Sequence, residues 1–250
     1  MRIISLVPSL TDAVAALGAA SELVAVTKYC VHGAPESAER IGGTKNPDIQ
    51  RVIALRPDVV LANTEENQPE HLQRLRDAGI AVEETYPRTV RDCITLTRRL
   101  GQVVGAADRA EVLAGAIVAA IESASWPEDS PRVMALTLIW RKPWMGVGPT
   151  TYISDLLWTC GFGNVLAGFA EPYPKLDPSF VLGPDVVLLP SEPYAFGQDD
   201  LPAVADLVGD DVAMVLVDGQ ALTWHGPRTA QAITTFADLA RHLAEVVNSG

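Results

Sequence analysis

The sequence is short of cysteine, of cationic charge and of long apolar runs, and each shortage closes a class of function. Cys30, Cys93 and Cys160 are its only cysteines and lie more than 60 residues apart. No CxxC occurs, so neither a disulfide framework nor a structural zinc site is indicated. That usage suits a reducing compartment. Lysine and arginine number 19 against 31 acidic residues, a formal charge of −12. A surface of that sign repels phosphate backbones, which argues against nucleic acid as a partner. The longest apolar stretch, Ala13–Ala20, falls far below the roughly 20 residues a membrane-spanning helix needs. Fingerprints of common enzymes are also missing. GxSxG, HExxH and GxGxxG do not occur, and GGTK (Gly42–Lys45) lacks the spacing of a phosphate loop. No basic leader, apolar leader segment or lipid-attachment cysteine precedes the first strand pattern, RIISLV. The expected compartment is therefore the cytoplasm; export with a leader already removed is the alternative.

What the chain does have is a repeat. LRPDVVLANTEEN (Leu55–Asn67) matches LGPDVVLLPSEPY (Leu182–Tyr194), which sets Glu65 opposite Glu192. SLTDAVAALGAA (Ser9–Ala20) matches YISDLLWTCGFG (Tyr152–Gly163), with Asp12 opposite Asp155. Order is kept while loop lengths differ, the mark of a duplicated α/β unit. Each half alternates strand and helix. RIISLV, ELVAVT, DVVLA and IAVEE are the strands of the first half; VMALTLI, NVLA, DVVLL and MVLVD are those of the second. Ser9 with Asp12 reads as a capping box, and Pro69 and Gly79 bracket a helix. Between the halves Leu113, Ile117 and Ile121 recur every four residues in a proline-free stretch, Ala107–Ser125, that Trp126-Pro127 ends. The expected fold is α/β: two lobes, each with a mainly parallel open sheet flanked by helices, joined by one long rigid helix. The boundaries are 1–106, 107–126 and 127–250.

In open α/β sheets ligands bind beyond the carboxyl ends of the strands. If the lobes face each other, the segments leaving those ends converge on a cleft. They carry Tyr29, Glu65, Trp140, Arg141, Trp144, Glu192, Tyr194, Trp224 and Arg228, the candidate ligand-binding residues. The stretch LIWRKPWMGVG (Leu138–Gly148) is the most telling. Two indoles flanking Arg141, Lys142 and Pro143 are hard to bury, because the cations must reach water or an anionic partner. Displayed, they would stack a flat apolar ligand while Arg141 pairs a carboxylate. The plainer reading makes them lids over core.

SLVPSLTD, IGGTKNPDIQRVIALRPDVVLA, ISDLLWTCGFGNVLA, LGPDVVLL and the late GPR follow one another in an order that resembles the helical-backbone substrate-binding proteins of ABC importers. KYCVH, IWRKPWM and VDGQALTWHG look like a branch of that family often lacking an export signal. The resemblance implies non-enzymatic capture of vitamin B12 (cobalamin), haem, a ferric chelate or a metal ion. It also implies an ABC permease as partner, docked through one acidic residue per lobe. Those residues would be Glu70 and Asp177, although Glu70 is offset by about one position and Asp177 stands where Glu is usual. No membrane span is expected, and the protein is expected to be a monomer.

Bland readings stand beside these. Glu65 and Glu192 are either cleft carboxylates or acids meeting a helix N-terminus. Cys30, His32 and His225 could bind a metal together with a glutamate, but their spacing matches no closed motif and a lone cysteine is more often a small buried apolar group. Two alternatives follow: a cytoplasmic metal-ion or cofactor-handling protein without a permease, and a small hydrolase using Cys30 and His32. The hydrolase requires a turn that brings thiolate to imidazole.

Overall fold

A computed structural model describes residues 1–127, 129–177 and 183–247. The chain forms two compact units, and the division falls inside a helix, after Ala116. Unit 1 comprises Met1–Pro87, Arg91–Ala116 and His225–Pro227. Its elements begin with β1 (Ile3–Ser5), α1 (Pro8–Ala16), β2 (Leu23–Val26), β3 (Glu39–Arg40) and α2 (Ile49–Ala54). They continue with β4 (Val59–Asn63), α3 (Pro69–Asp77), β5 (Val82–Thr85), α4 (Val90–Val103) and α5 (Ala107–Ser123). The five strands form a parallel sheet in the order β3-β2-β1-β4-β5. Its core includes Ile3, Ile4, Val60, Leu61, Leu72 and Leu100. The strand β4 is buried along its whole length, as its unbroken apolar run requires.

Local chemistry sets the helix ends. Pro69 opens α3 and Gly79, at φ +77°, follows it. The Asp48 carboxylate caps α2 by accepting from the Arg51 N–H at 3.0 Å. The capping box expected at Ser9 is not formed. Proline 8 presets the first helical turn, so α1 starts before Ser9, with Val7 at the cap and Ser9 buried inside the helix.

Unit 2 comprises Arg88–Val90, Ile117–Trp224 and Arg228–Gly250. It holds β6 (Val133–Trp140), β7 (Met145–Gly146), α6 (Tyr152–Thr159), β8 (Phe162–Asn164) and β9 (Val186–Pro190). After these come α7 (Leu201–Val208), β10 (Ala213–Val217), α8 (Gly219–Thr223) and α9 (Thr229–Val247). Parallel β10, β9 and β6 lie side by side; β8 runs parallel to the start of β6 and the short β7 runs antiparallel to its end. The strand expected at NVLA ends sooner, at Asn164. That side chain accepts from the Leu166 N–H at 2.8 Å and turns the chain away.

The repeat has a structural meaning. In unit 1 the Asp58 carboxylate accepts from the Arg2 N–H at 2.7 Å and the Asp58 N–H returns a bond to the Arg2 carbonyl at 2.8 Å. In unit 2 Asp185 makes the same pair of bonds to Met134, at 2.7 and 2.8 Å. Each PDVV aspartate thus clips the entry of its own strand to the neighbouring strand. The turns after α1 and α6 match as well, with Gly18 at φ +84° and Gly161 at φ +104°. Among the described residues no helix is long and apolar enough to cross a membrane.

Candidate functional site

The strand order of unit 2 switches direction between β6 and β9, the place where a parallel sheet opens a crevice at its carboxyl edge. The loop Trp140–Trp144 leaves β6 there and Ser191–Gly197 leaves β9. Their rings form one run. Trp140 meets Tyr194 edge to face at 5.8 Å, Tyr194 meets Phe196 at 4.6 Å, and Phe196 stacks on Trp144 at 6.4 Å with 4° between the planes. Phe196 is buried in the unit's core beside Leu138 and Leu189 and anchors the run, while Trp140 is 43% exposed. The Trp140 indole N–H donates to the Lys142 carbonyl at 3.2 Å, which fixes the ring against its own loop.

A polar clamp stands beside the rings. Arg141 Nη1 donates to Asp200 Oδ1 at 2.5 Å, and the Tyr194 hydroxyl donates to the same oxygen at 3.2 Å. The Gly197 N–H donates to Asp200 Oδ2 at 2.9 Å. That backbone bond, with help from Arg141 and Tyr194, holds the Asp200 carboxyl below the usual carboxylate range. The Arg141 guanidinium lies 5.9 Å from the Trp144 ring centre. Arg141, Lys142 and Trp144 face Ala203, Asp206 and Leu207 of α7 across a pocket of about 330 Å³.

Two of the candidate ligand contacts meet each other. Trp224 is only 6% exposed, and its indole N–H donates to Glu192 Oε1 at 2.7 Å. The Thr223 hydroxyl donates to that same oxygen at 3.1 Å. Glu192 and Trp224 thus brace each other within unit 2, and the Arg228 guanidinium lies over this indole, 5.1 Å from its ring centre. Gly219 is needed beside them, because a Cβ there would stand 2.4 Å from the Glu192 nitrogen.

Unit 1 switches between β1 and β4, and its crevice edge is polar. Asn67, 2% exposed, accepts from the Asn63 N–H at 2.9 Å and donates to the Thr44 carbonyl at 2.9 Å and the Leu6 carbonyl at 3.4 Å. Asn63 in turn accepts from the Glu65 and Glu66 N–H groups at 2.8 and 3.3 Å. The Glu65 carbonyl accepts from the Lys45 ammonium at 2.5 Å, and the Glu65 side chain is exposed. Tyr29 is also exposed, with the Lys28 ammonium 5.0 Å from its ring. Sequence reading passed over Asn63 and Asp200. An Asn four residues before another Asn at a strand end was a readable signal for the first.

The hydrolase reading does not survive, and Cys30, His32 and His225 are not gathered into one group. Cys30 is fully buried, with the Thr11 and Thr27 hydroxyls at 3.1 and 3.2 Å from its sulfur, and burial pushes its thiol pKa up. A thiol so placed is a poor nucleophile. His32 is exposed, whereas burial pulls His225 down to about 4. Among the described residues no group of three or more His, Cys, Asp or Glu side chains could hold a metal ion. Glu70, in the first turn of α3, and Asp177 are both exposed.

Residues 3–192 match the model of the family described as periplasmic binding protein. A vitamin B12-binding protein of Vibrio campbellii is 24% identical over 217 residues, covering 82% of this chain and 78% of its own. The periplasmic vitamin B12 binding protein BtuF of Vibrio cholerae superposes with a TM-score of 0.82 at 22% identity, covering 97% of both chains. The periplasmic haem-binding protein RhuT from Roseiflexus sp. RS-1 gives 0.82 at 23% identity, over 97% of this chain and 98% of its own. A family match over most of its length, on a sheet architecture those structures share, places the chain in the periplasmic binding protein family, as a binding protein and not an enzyme.

Proposed function

We propose that this chain is the ligand-capturing component of an ABC importer and that its cargo is a corrinoid or tetrapyrrole-type metal chelate. One observation supports this above the rest: four rings from two loops, Trp140, Tyr194, Phe196 and Trp144, meet at the carboxyl edge of the unit 2 sheet beside a clamped arginine. Flat conjugated ligands gain from stacking on such surfaces, each large ring offering roughly 150–250 Å² of apolar area. The buried Phe196 and the Asp200 clamp keep the loops in place before any ligand arrives, which reduces the ordering cost of binding. Relatives named for vitamin B12 and haem agree with a cargo of this shape. The carboxylates of Glu70 and Asp177, exposed on unit 1 and unit 2 respectively, are the proposed contacts for permease arginines.

Tryptophan fluorescence tests the reading. Cobalamin or haem should quench it saturably, and Trp144→Ala should weaken the tighter of the two about tenfold, the value of one lost stacking contact with its buried area. The melting temperature should fall only modestly. Absence of quenching by either compound, in protein that melts cooperatively, would remove the cargo assignment.

A further inference from the structure

The pocket between the Arg141–Trp144 loop and α7 is not accounted for by stacking. Its walls are Arg141, Lys142, Trp144, Ala203, Asp206 and Leu207, and its volume of about 330 Å³ lies at the low end of small-molecule sites. A space of that size holds a side arm, not a whole macrocycle. Two of its walls are cationic. Arg141 spends one terminal nitrogen on Asp200 and lies beside the Tyr194 hydroxyl, but a guanidinium carries five N–H donors, more than those acceptors consume. Among the described residues the Lys142 ammonium enters no ion pair, and its side chain is exposed at the loop.

Asp200 explains why Arg141 is more than a mobile surface cation. It is 6% exposed, and its second oxygen is taken by the Gly197 N–H, so it holds the guanidinium from behind at a fixed point. A planar fork fixed this way loses little entropy when it receives a second acceptor. Asp206, on the α7 wall, is exposed and carries the opposing charge.

We propose that this pocket receives a carboxylate arm of the cargo, bound by Arg141 and Lys142, with Asp200 as the residue that positions Arg141, so that the protein prefers an acidic chelate to a neutral, amidated one. The inference rests on the chelate-capture reading and narrows its cargo class. Asp206 limits the preference: it repels the same arm and is screened by water.

Haem and haem dimethyl ester share a macrocycle and differ in whether their arms are charged, so titrating both isolates the pocket. Haem should bind at least about tenfold tighter than its ester, the equivalent of one charge-assisted hydrogen bond. Arg141→Met should abolish that ratio. Asp200→Asn should shrink the ratio by weakening haem more than the ester, a selective loss that general unfolding would not produce. Asp206→Asn should enlarge it. Equal affinity for acid and ester would overturn the pocket's role and leave chelate capture standing, as would tight binding of cobalamin with none of haem. If no macrocycle binds, chelate capture fails, and citrate then decides the pocket. Saturable fluorescence change with citrate, lost in Arg141→Met, supports it; no response overturns it.

Discussion

The two PDVV repeats end in the same place and then diverge, and the divergence falls on paired positions. Asn63 of β4 corresponds to Pro190 of β9, and Asn67 corresponds to Tyr194. In unit 1 the Asn63 N–H is a buried donor at the last strand residue, and Asn67 accepts from it. In unit 2 proline has no N–H to satisfy, so the fourth residue onward is released from that duty. Tyr194 uses the freedom. Its ring joins Trp140 and Phe196 and its hydroxyl reaches Asp200. One strand residue therefore decides whether the loop after it is tied down by amides or turned into an aromatic wall. The related glutamates diverge too: the Glu65 side chain stays exposed, while Glu192 accepts from Trp224 and Thr223.

Substitutions can break this contrast at both ends. The largest effect belongs to Trp224→Ala. Removing a nearly buried indole leaves a cavity and strips Glu192 of its shortest hydrogen bond, a loss of about 3–5 kcal/mol in chemical denaturation. Loss of cargo affinity with an unchanged melting curve would instead return Trp224 to the ligand surface. Asn67→Ala comes next, at about 2 kcal/mol. It strands the buried Asn63 N–H and frees the Leu6 and Thr44 carbonyls. A variant that melts with the parent would mean that unit 1's loop does not depend on the amide tie.

Much of this was readable from the chain. The unbroken apolar runs of β4 and β9 announce buried parallel strands, and the alternation with helices gives the fold class. The strands β3 and β7 have two residues each, too few for any periodicity to show. The aromatic loop after β6 was legible because its indoles flank two cations. The burial of Trp224 against Glu192 was not legible, because a strand-end position says nothing about which way a side chain points, and Glu192 lies 32 residues earlier. Asp200 was hidden for the same reason. It sits 59 residues from Arg141, just ahead of the Leu201-Pro202 helix start, where an acidic residue looks like an ordinary cap.

The smallest expected change in stability is also the sharpest probe of the contrast. Trp140 is 43% exposed, its indole N–H reaches only its own loop, and it meets Tyr194 edge-on. Little apolar area returns to water when it is cut to alanine, so Trp140→Ala should cost no more than about 1 kcal/mol. A core lid of the same size would cost several times that. Of the four wall rings, the one that matters least to folding is then the one most free to be covered by a ligand, and cobalamin or haem affinity should fall more than stability does. A Trp140→Ala protein that unfolds early yet binds as the parent does would show that unit 2's wall is core turned outward, and the contrast with Asn67 would reduce to two ways of closing a loop.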